Sequence, residues 1–202
     1  MPLPKPAVCR AGTHIAVGEA GDLPSHQPEA RLRLARIATI KRDLVLAVDP
    51  SLYPHIQGQA DTEVLFHLAL TFGLQDDPPT AVAQAIGLVE EVAARHDVPN
   101  PFQGTVATTD GSSIWAFRYS SERNSRSLFY TTDVPSLRKL YPEREDLQGF
   151  SDDARLIVSE PLGDVAGVWN EVPESSWGVV RAGQDEIQPF QPEAPSTLVA
   201  IA

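Results

Sequence analysis

Thr105-Val-Ala-Thr-Thr-Asp-Gly-Ser-Ser-Ile-Trp-Ala-Phe-Arg-Tyr119 is two runs of β-branched and aromatic residues separated at Asp110-Gly111. Such side chains suit a pleated, half-buried surface, and an Asp-Gly pair supplies the positive φ angles of a tight turn, so the stretch predicts a β-hairpin. Downstream, the composition predicts further strands at Ser127 to Thr131, Arg155 to Ser159 and Trp177 to Arg181, with a weaker one near Glu186 to Pro189.

Upstream of the hairpin the apolar period is helical. Leu34, Ile37, Ile40, Leu44, Ala47 and Val48 recur at three- and four-residue steps, with Arg36, Lys41, Arg42 and Asp43 on the other face. Asp49-Pro50 should stop this helix, because a proline disfavours the helical conformation in the residue before it. Asp61 opens a second helix as its expected N-cap, with Val64, Leu65, Leu68, Ala69 and Phe72 as the apolar stripe and Gly73 closing it. Pro78-Pro79-Thr80 opens a third, carrying Val82, Ala85, Ile86, Val89, Val92 and Ala93 and ending near His96. Helices grouped ahead of antiparallel strands predict an α+β layered fold, with the helices covering one sheet face.

The chain has 202 residues, 42% hydrophobic and 21% charged, enough for one core and too few for two full domains. Its 16 basic against 27 acidic side chains give a net charge of −11, so no nucleic-acid partner is expected, since phosphate binding needs a basic stripe. A membrane-spanning helix takes about 20 apolar residues, and His67, Glu90 and Arg118 break the longest apolar stretches; no membrane partner is expected. The amino terminus shows no secretory h-region, which makes the cytoplasm the expected location. Cys9 is the only cysteine, and no two of the five histidines lie four apart, so neither a metal nor a cofactor is expected. No phosphate loop, G-x-S-x-G elbow or H-E-x-x-H is present.

What remains is an ordered set of polar-rich segments: Lys41-Arg-Asp-Leu, Asp61-Thr-Glu-Val-Leu-Phe66, Thr109-Asp-Gly111, Arg118-Tyr-Ser-Ser121, Arg126-Ser-Leu-Phe-Tyr130, Ser159-Glu-Pro-Leu-Gly163 and Trp169-Asn-Glu-Val-Pro173. Together, from about Ile40 to Phe190, they resemble the small stand-alone members of the class II glutamine amidotransferase family, of the Ntn-hydrolase fold. The resemblance implies part of a four-layer αββα sandwich with antiparallel sheets. It also implies hydrolysis of the side-chain amide of glutamine, or of a related γ-glutamyl amide, to the acid and ammonia. In that family an N-terminal cysteine is the nucleophile, its α-amino group the base and an Asn-Gly pair the oxyanion hole. An arginine grips the substrate carboxylate, and an aspartate at a helix start holds the substrate ammonium.

Of these roles only the last carries over, onto Asp61, whose carboxylate is a natural partner for an α-ammonium group. Capping the helix is the alternative role, and the two are compatible because a carboxylate has two oxygens. The catalytic residues stay unassigned. This chain begins Met-Pro, and ahead of the Lys-Arg-Asp segment it reads Glu29-Ala-Arg-Leu-Arg33 where the family has His-Asn-Gly. Residues 1–33 are thus expected to be a poorly ordered arm foreign to the family, 34–190 the carboxyl-terminal part of an N-terminally truncated amidotransferase domain, and 191–202 a tail. Two outcomes follow: an amidotransferase or amidohydrolase, or a catalytically inactive remnant that binds other proteins and self-associates through exposed sheet edges. Trp115, Phe117, Tyr119, Phe129, Tyr130 and Trp169 are expected between the sheets, and His67 is expected to be packed or at the surface, not a base.

Overall fold

The helical layer is set by local signals, and from residue 39 onward the computed structural model shows them; Leu34, Arg36 and Ile37 lie outside the described residues. It describes residues 14–17, 39–131, 133–152, 154–161, 167–181 and 184–196. Helix α1 is helical over 39–46 and ends ahead of Asp49, whose backbone N–H donates to Thr71 Oγ1 at 3.0 Å. After a 3-10 turn at Tyr53–His55, α2 (Asp61–Thr71) closes on Gly73 at φ 87°. Leu74 N–H donates to Ala69 O and Gly73 N–H to Leu70 O, the Schellman pattern that satisfies the last carbonyls. The third helix, α3 (Pro78–Arg95), is capped by Asp77, whose carboxylate accepts from Thr80 N–H. It ends in the same pattern, with Asp97 in the glycine-favouring position at φ 55°.

Strands β1 (His14–Val17), β2 (Gln103–Thr109), β3 (Ser113–Ser120), β7 (Ser176–Arg181) and β8 (Gln184–Pro189) make one sheet in the order β1-β2-β3-β7-β8. Strands β4 (Phe129–Thr131), β5 (Leu156–Val158) and β6 (Asn170–Glu171) make a second, β5-β4-β6. Every pairing is antiparallel, so the fold is α+β. Two short helices, α4 (Val134–Leu140) and α5 (Glu145–Gln148), follow β4. No helix among the described residues is long and apolar enough to cross a membrane.

In the hairpin the turn is made differently from the sequence expectation. Of the two turn residues only Gly111 takes a positive φ, 91°. Asp110 acts through its side chain: Oδ1 accepts from Ser112 N–H, Ser112 Oγ and Ser113 N–H. Those bonds hold its carboxyl below the ordinary value despite desolvation, which is the largest effect and acts the other way.

The register Val106↔Phe117 and Thr108↔Trp115 puts these residues on one sheet face, and α2 and α3 cover it. Trp115, Phe117 and Tyr119 therefore pack under the helices and not between the sheets. Alternation along β3 forces this once Ala116 faces inward, because the helices carry the apolar stripes large enough to cover the aromatics. Between the sheets lie Ala116, Leu128 and Val172, with Tyr130 and Ile157. Trp169 belongs to a third cluster, with Leu137 and Leu147 of α4 and α5.

Two features fall in stretches read as irregular from sequence. Strand β1 lies inside the expected arm, pairing His14↔Thr109 through Val17↔Val106. Cys9 and Glu29 to Arg33 lie outside the described residues. Residues 190–194, at the expected tail, form a strap across α3: Phe190 is 5% exposed, and Glu193 N–H donates to Ala83 O. It passes close over Gly87, where a Cβ would lie 2.4 Å from both Ala194 N and Glu193 C.

Helix α1 is tied to the end of α3 by His96 Nε2, which lies 2.8 Å from Asp43 Oδ2. That hydrogen bond, then one from Arg42, lowers the Asp43 carboxyl from its ordinary 3.8. A carboxylate depressed in the folded state stabilises fully above its unfolded value and loses that contribution as pH falls through the folded one. Acid unfolding followed by circular dichroism is expected to show Asp43→Asn losing stability relative to the parent at about pH 5 and above, with the difference shrinking below 3.8. A difference that is constant with pH would mean the pair is not formed.

Candidate functional site

Helix α2 begins with extended backbone at Ala60, which is the N-cap and contributes no side-chain bond. Asp61 is therefore the first helical residue and not the cap expected from sequence. Its carboxylate turns sideways to α1, where Oδ1 pairs with Lys41 Nζ at 3.0 Å. The Asp61 side chain is 78% exposed, which leaves its second oxygen open to solvent. An ion pair this exposed contributes about 0–1 kcal/mol, so it orients the carboxylate without locking it.

The loop ahead of α2 is shaped around two side chains, Lys41 and Glu63. Lys41 Nζ also donates to the Gln59 carbonyl. Glu63 reaches back over the loop, Oε1 accepting from Gln57 N–H at 2.9 Å and Oε2 from Gly58 N–H at 2.7 Å. A Cβ on Gly58 would lie 2.6 Å from Glu63 Oε2, so a larger residue there would push that carboxylate aside. Asp61 and Glu63 both sit in the first turn, where the positive end of the helix dipole favours carboxylates. The result is an exposed acidic helix start, braced by one cation, that can receive a ligand's ammonium group on Asp61. His67, one turn on, is 6% exposed and its Nδ1 faces the Glu63 carbonyl at 2.8 Å, a packed position remote from any proton-transfer role.

Lys41 and Asp61 come from two of the polar segments singled out in the sequence, and four of the other five segments also meet in pairs. Arg118 reaches from β3 across to β6: Nη1 donates to Glu171 Oε1 at 2.5 Å and to Val172 O at 2.7 Å, and Nε donates to Ser125 Oγ at 3.0 Å. Glu174 Oε2 accepts from Ser125 N–H at 2.9 Å. Ser127 Oγ donates to Ser159 O at 2.8 Å. The Arg118 bonds fasten β3 of one sheet to β6 of the other, and the Ser127 bond ties the flanks of β4 and β5, so these contacts are structural seams. Glu160 and Asn170 are both exposed and have no such bond among the described residues. Sequence reasoning did not pair Lys41 with Asp61, and only the charge pattern of the two segments hinted at it.

No family model and no curated protein matches the sequence. Among solved structures, the chain is similar to a glutamine aminotransferase class-II domain protein from Silicibacter pomeroyi, with a TM-score of 0.63 and 27% identity. The similarity covers 76% of this chain and 61% of that one, so the chain spans less than two thirds of the length of its structural relative. With its antiparallel sheets, its helix-covered face and this likeness, the chain has a class II glutamine amidotransferase-like fold.

Proposed function

We propose that this chain is the later part of a domain that hydrolyses the side-chain amide of glutamine, or of a related γ-glutamyl amide, to the acid and ammonia, and that Asp61 holds the substrate's α-ammonium group. The observation that carries the reading is the placement of Asp61, on the first turn of α2 with one oxygen on Lys41 and the other open. The likeness to a class-II domain protein supports the choice of substrate class. The succession of α2 and α3, the five-stranded sheet, the three-stranded sheet, and then α4 and α5 supports a four-layer αββα sandwich. In the family the attacking group is an amino-terminal cysteine thiolate; Cys9 is the only thiol of this sequence, and the reading assigns it no role.

A second reading, an inactive domain that binds other proteins or itself, is favoured by one observation. Thr105, Ala107 and Thr109 on the inner face of β2 are only half-buried, and among the described residues the core between the sheets takes none from that strand. An incompletely covered sheet face is a surface for another chain.

The test is Asp61→Asn in the protein purified from its own cells, at whatever length the cell makes it. Losing one charged hydrogen bond to an ammonium group should weaken glutamine binding about tenfold or more. Binding of 4-carbamoylbutanoate, which lacks the ammonium group, should not change, and thermal unfolding should shift little because the Lys41 pair is exposed. Equal weakening of both ligands would reduce Asp61 to a partner of Lys41.

A further inference from the structure

A recess of about 300 Å³ opens between α3, the end of β3 and the strap, well apart in sequence from the start of α2. Glu90, Tyr119, Ser121, Arg123, Ser175 and Gln191 supply its polar lining. Its size is at the small end of ligand sites, which run from about 300 to 1,000 Å³. Asp61 does not line it.

The charges in the recess are arranged unusually. Tyr119 Oη and Ser121 Oγ both donate to the same oxygen of Glu90, Oε1, each at 2.7 Å. Among the described residues Oε2 accepts no hydrogen bond. Burial, then the Glu90 hydrogen bond and charge, push the Tyr119 hydroxyl far above the ordinary phenol value, so it stays a donor. Arg123 lines the same recess, yet among the described residues its guanidinium forms no ion pair with Glu90 or any other carboxylate.

The backbone that carries these groups is pinned. Arg123 and Ser175 hold left-handed φ values of 56° and 55°. Arg123 N–H donates to Ser120 O, and Phe190 N–H of the strap donates to Ser175 O. Opposite charges on the walls of one small recess, held without meeting, suit a ligand that carries both charges itself.

We propose that this recess binds a small α-amino acid as its zwitterion, with the ammonium group on Glu90 Oε2 and the carboxylate on Arg123. The binding does not depend on the amidotransferase reading, because no residue assigned to that chemistry takes part.

The test is titration of the ¹⁵N-labelled full chain with glycine, acetate and methylamine, following backbone amide shifts. Glycine is expected to shift saturably the amides of Tyr119 to Arg123, Ser175 and Gln191, and to bind about tenfold or more tighter than either single-charge probe. Glu90→Gln keeps the acceptor for the two hydroxyls and Arg123→Gln alters only an exposed side chain, so both should stay folded while each removes the preference for glycine. Asp61→Asn should leave it unchanged. Acetate binding as tightly as glycine, shifts that centre on Asp61, or no saturable shift with any probe would each overturn the proposal.

Discussion

Phe117→Ala is expected to lower the free energy of unfolding by about 3–5 kcal/mol, the usual cost of emptying a fully buried aromatic site. Phe117 is 1% exposed and, among the described residues, is the largest fully buried side chain. Its ring stacks with Trp177 at 6.3 Å and meets Phe190 edge-on at 5.4 Å. One side chain thus joins β3, β7 and the strap under the helical layer, and alanine would leave a cavity walled by groups from three separate segments. Such walls relax poorly, since β3 is held in the sheet on both sides, by β2 and by β7. The whole domain is stabilised by only about 5–15 kcal/mol, so the loss should be visible as a large fall in the urea midpoint. Leu46→Ala is the control: at 61% exposure it should change stability by about 0.5 kcal/mol or less. A loss at Phe117 as small as at Leu46 would mean that β3 is turned the other way, because a one-residue slip exchanges the two faces of a strand.

Gly87→Ala is expected to destabilise, against the ordinary rule for helices. Inside an exposed helix, alanine is favoured over glycine by about 1 kcal/mol. At Gly87 the new Cβ would lie 2.4 Å from Ala194 N and Glu193 C and 2.7 Å from Glu193 O, all backbone atoms that cannot rotate away. Overpacking of this kind costs about 1–3 kcal/mol, more than the propensity gain. The cheaper escape is for the strap to lift off α3, taking with it the Glu193 to Ala83 hydrogen bond. Limited proteolysis should then cut Gly87→Ala within 191–196 faster than the parent, and the thermal midpoint should fall. A rise in the midpoint with unchanged proteolysis would show that the strap is not seated there.

The helices were legible in the sequence because each carries its own punctuation. Gly73 marks the end of α2, and a periodic apolar stripe runs the length of α3. The hairpin was legible from Asp110-Gly111, although the work is divided between the Gly111 backbone and the Asp110 carboxylate. Helices α4 and α5, at 7 and 4 residues, are too short to show a period, and β6 has only two residues. The strap was misread as tail because its prolines and polar residues match an unstructured composition. An interior helix glycine at 87 was the one available hint that backbone passes close by. The faces of β3 could not be assigned from alternation alone, since both neighbours of that sheet are protein.

The candidate site was half legible. Asp61 could be named, but its partner Lys41 lies on another helix, and the seam from Arg118 to Glu171 joins residues 53 apart. Pairings of this kind are tertiary facts with no local signature.

The most direct test of the central claim is ammonia release from L-glutamine labelled with ¹⁵N at the amide, using protein purified from its own cells. The account predicts labelled ammonia in step with glutamate and a higher KM for glutamine in Asp61→Asn with the fold intact. No ammonia from glutamine, or a KM indifferent to Asp61→Asn, would contradict it.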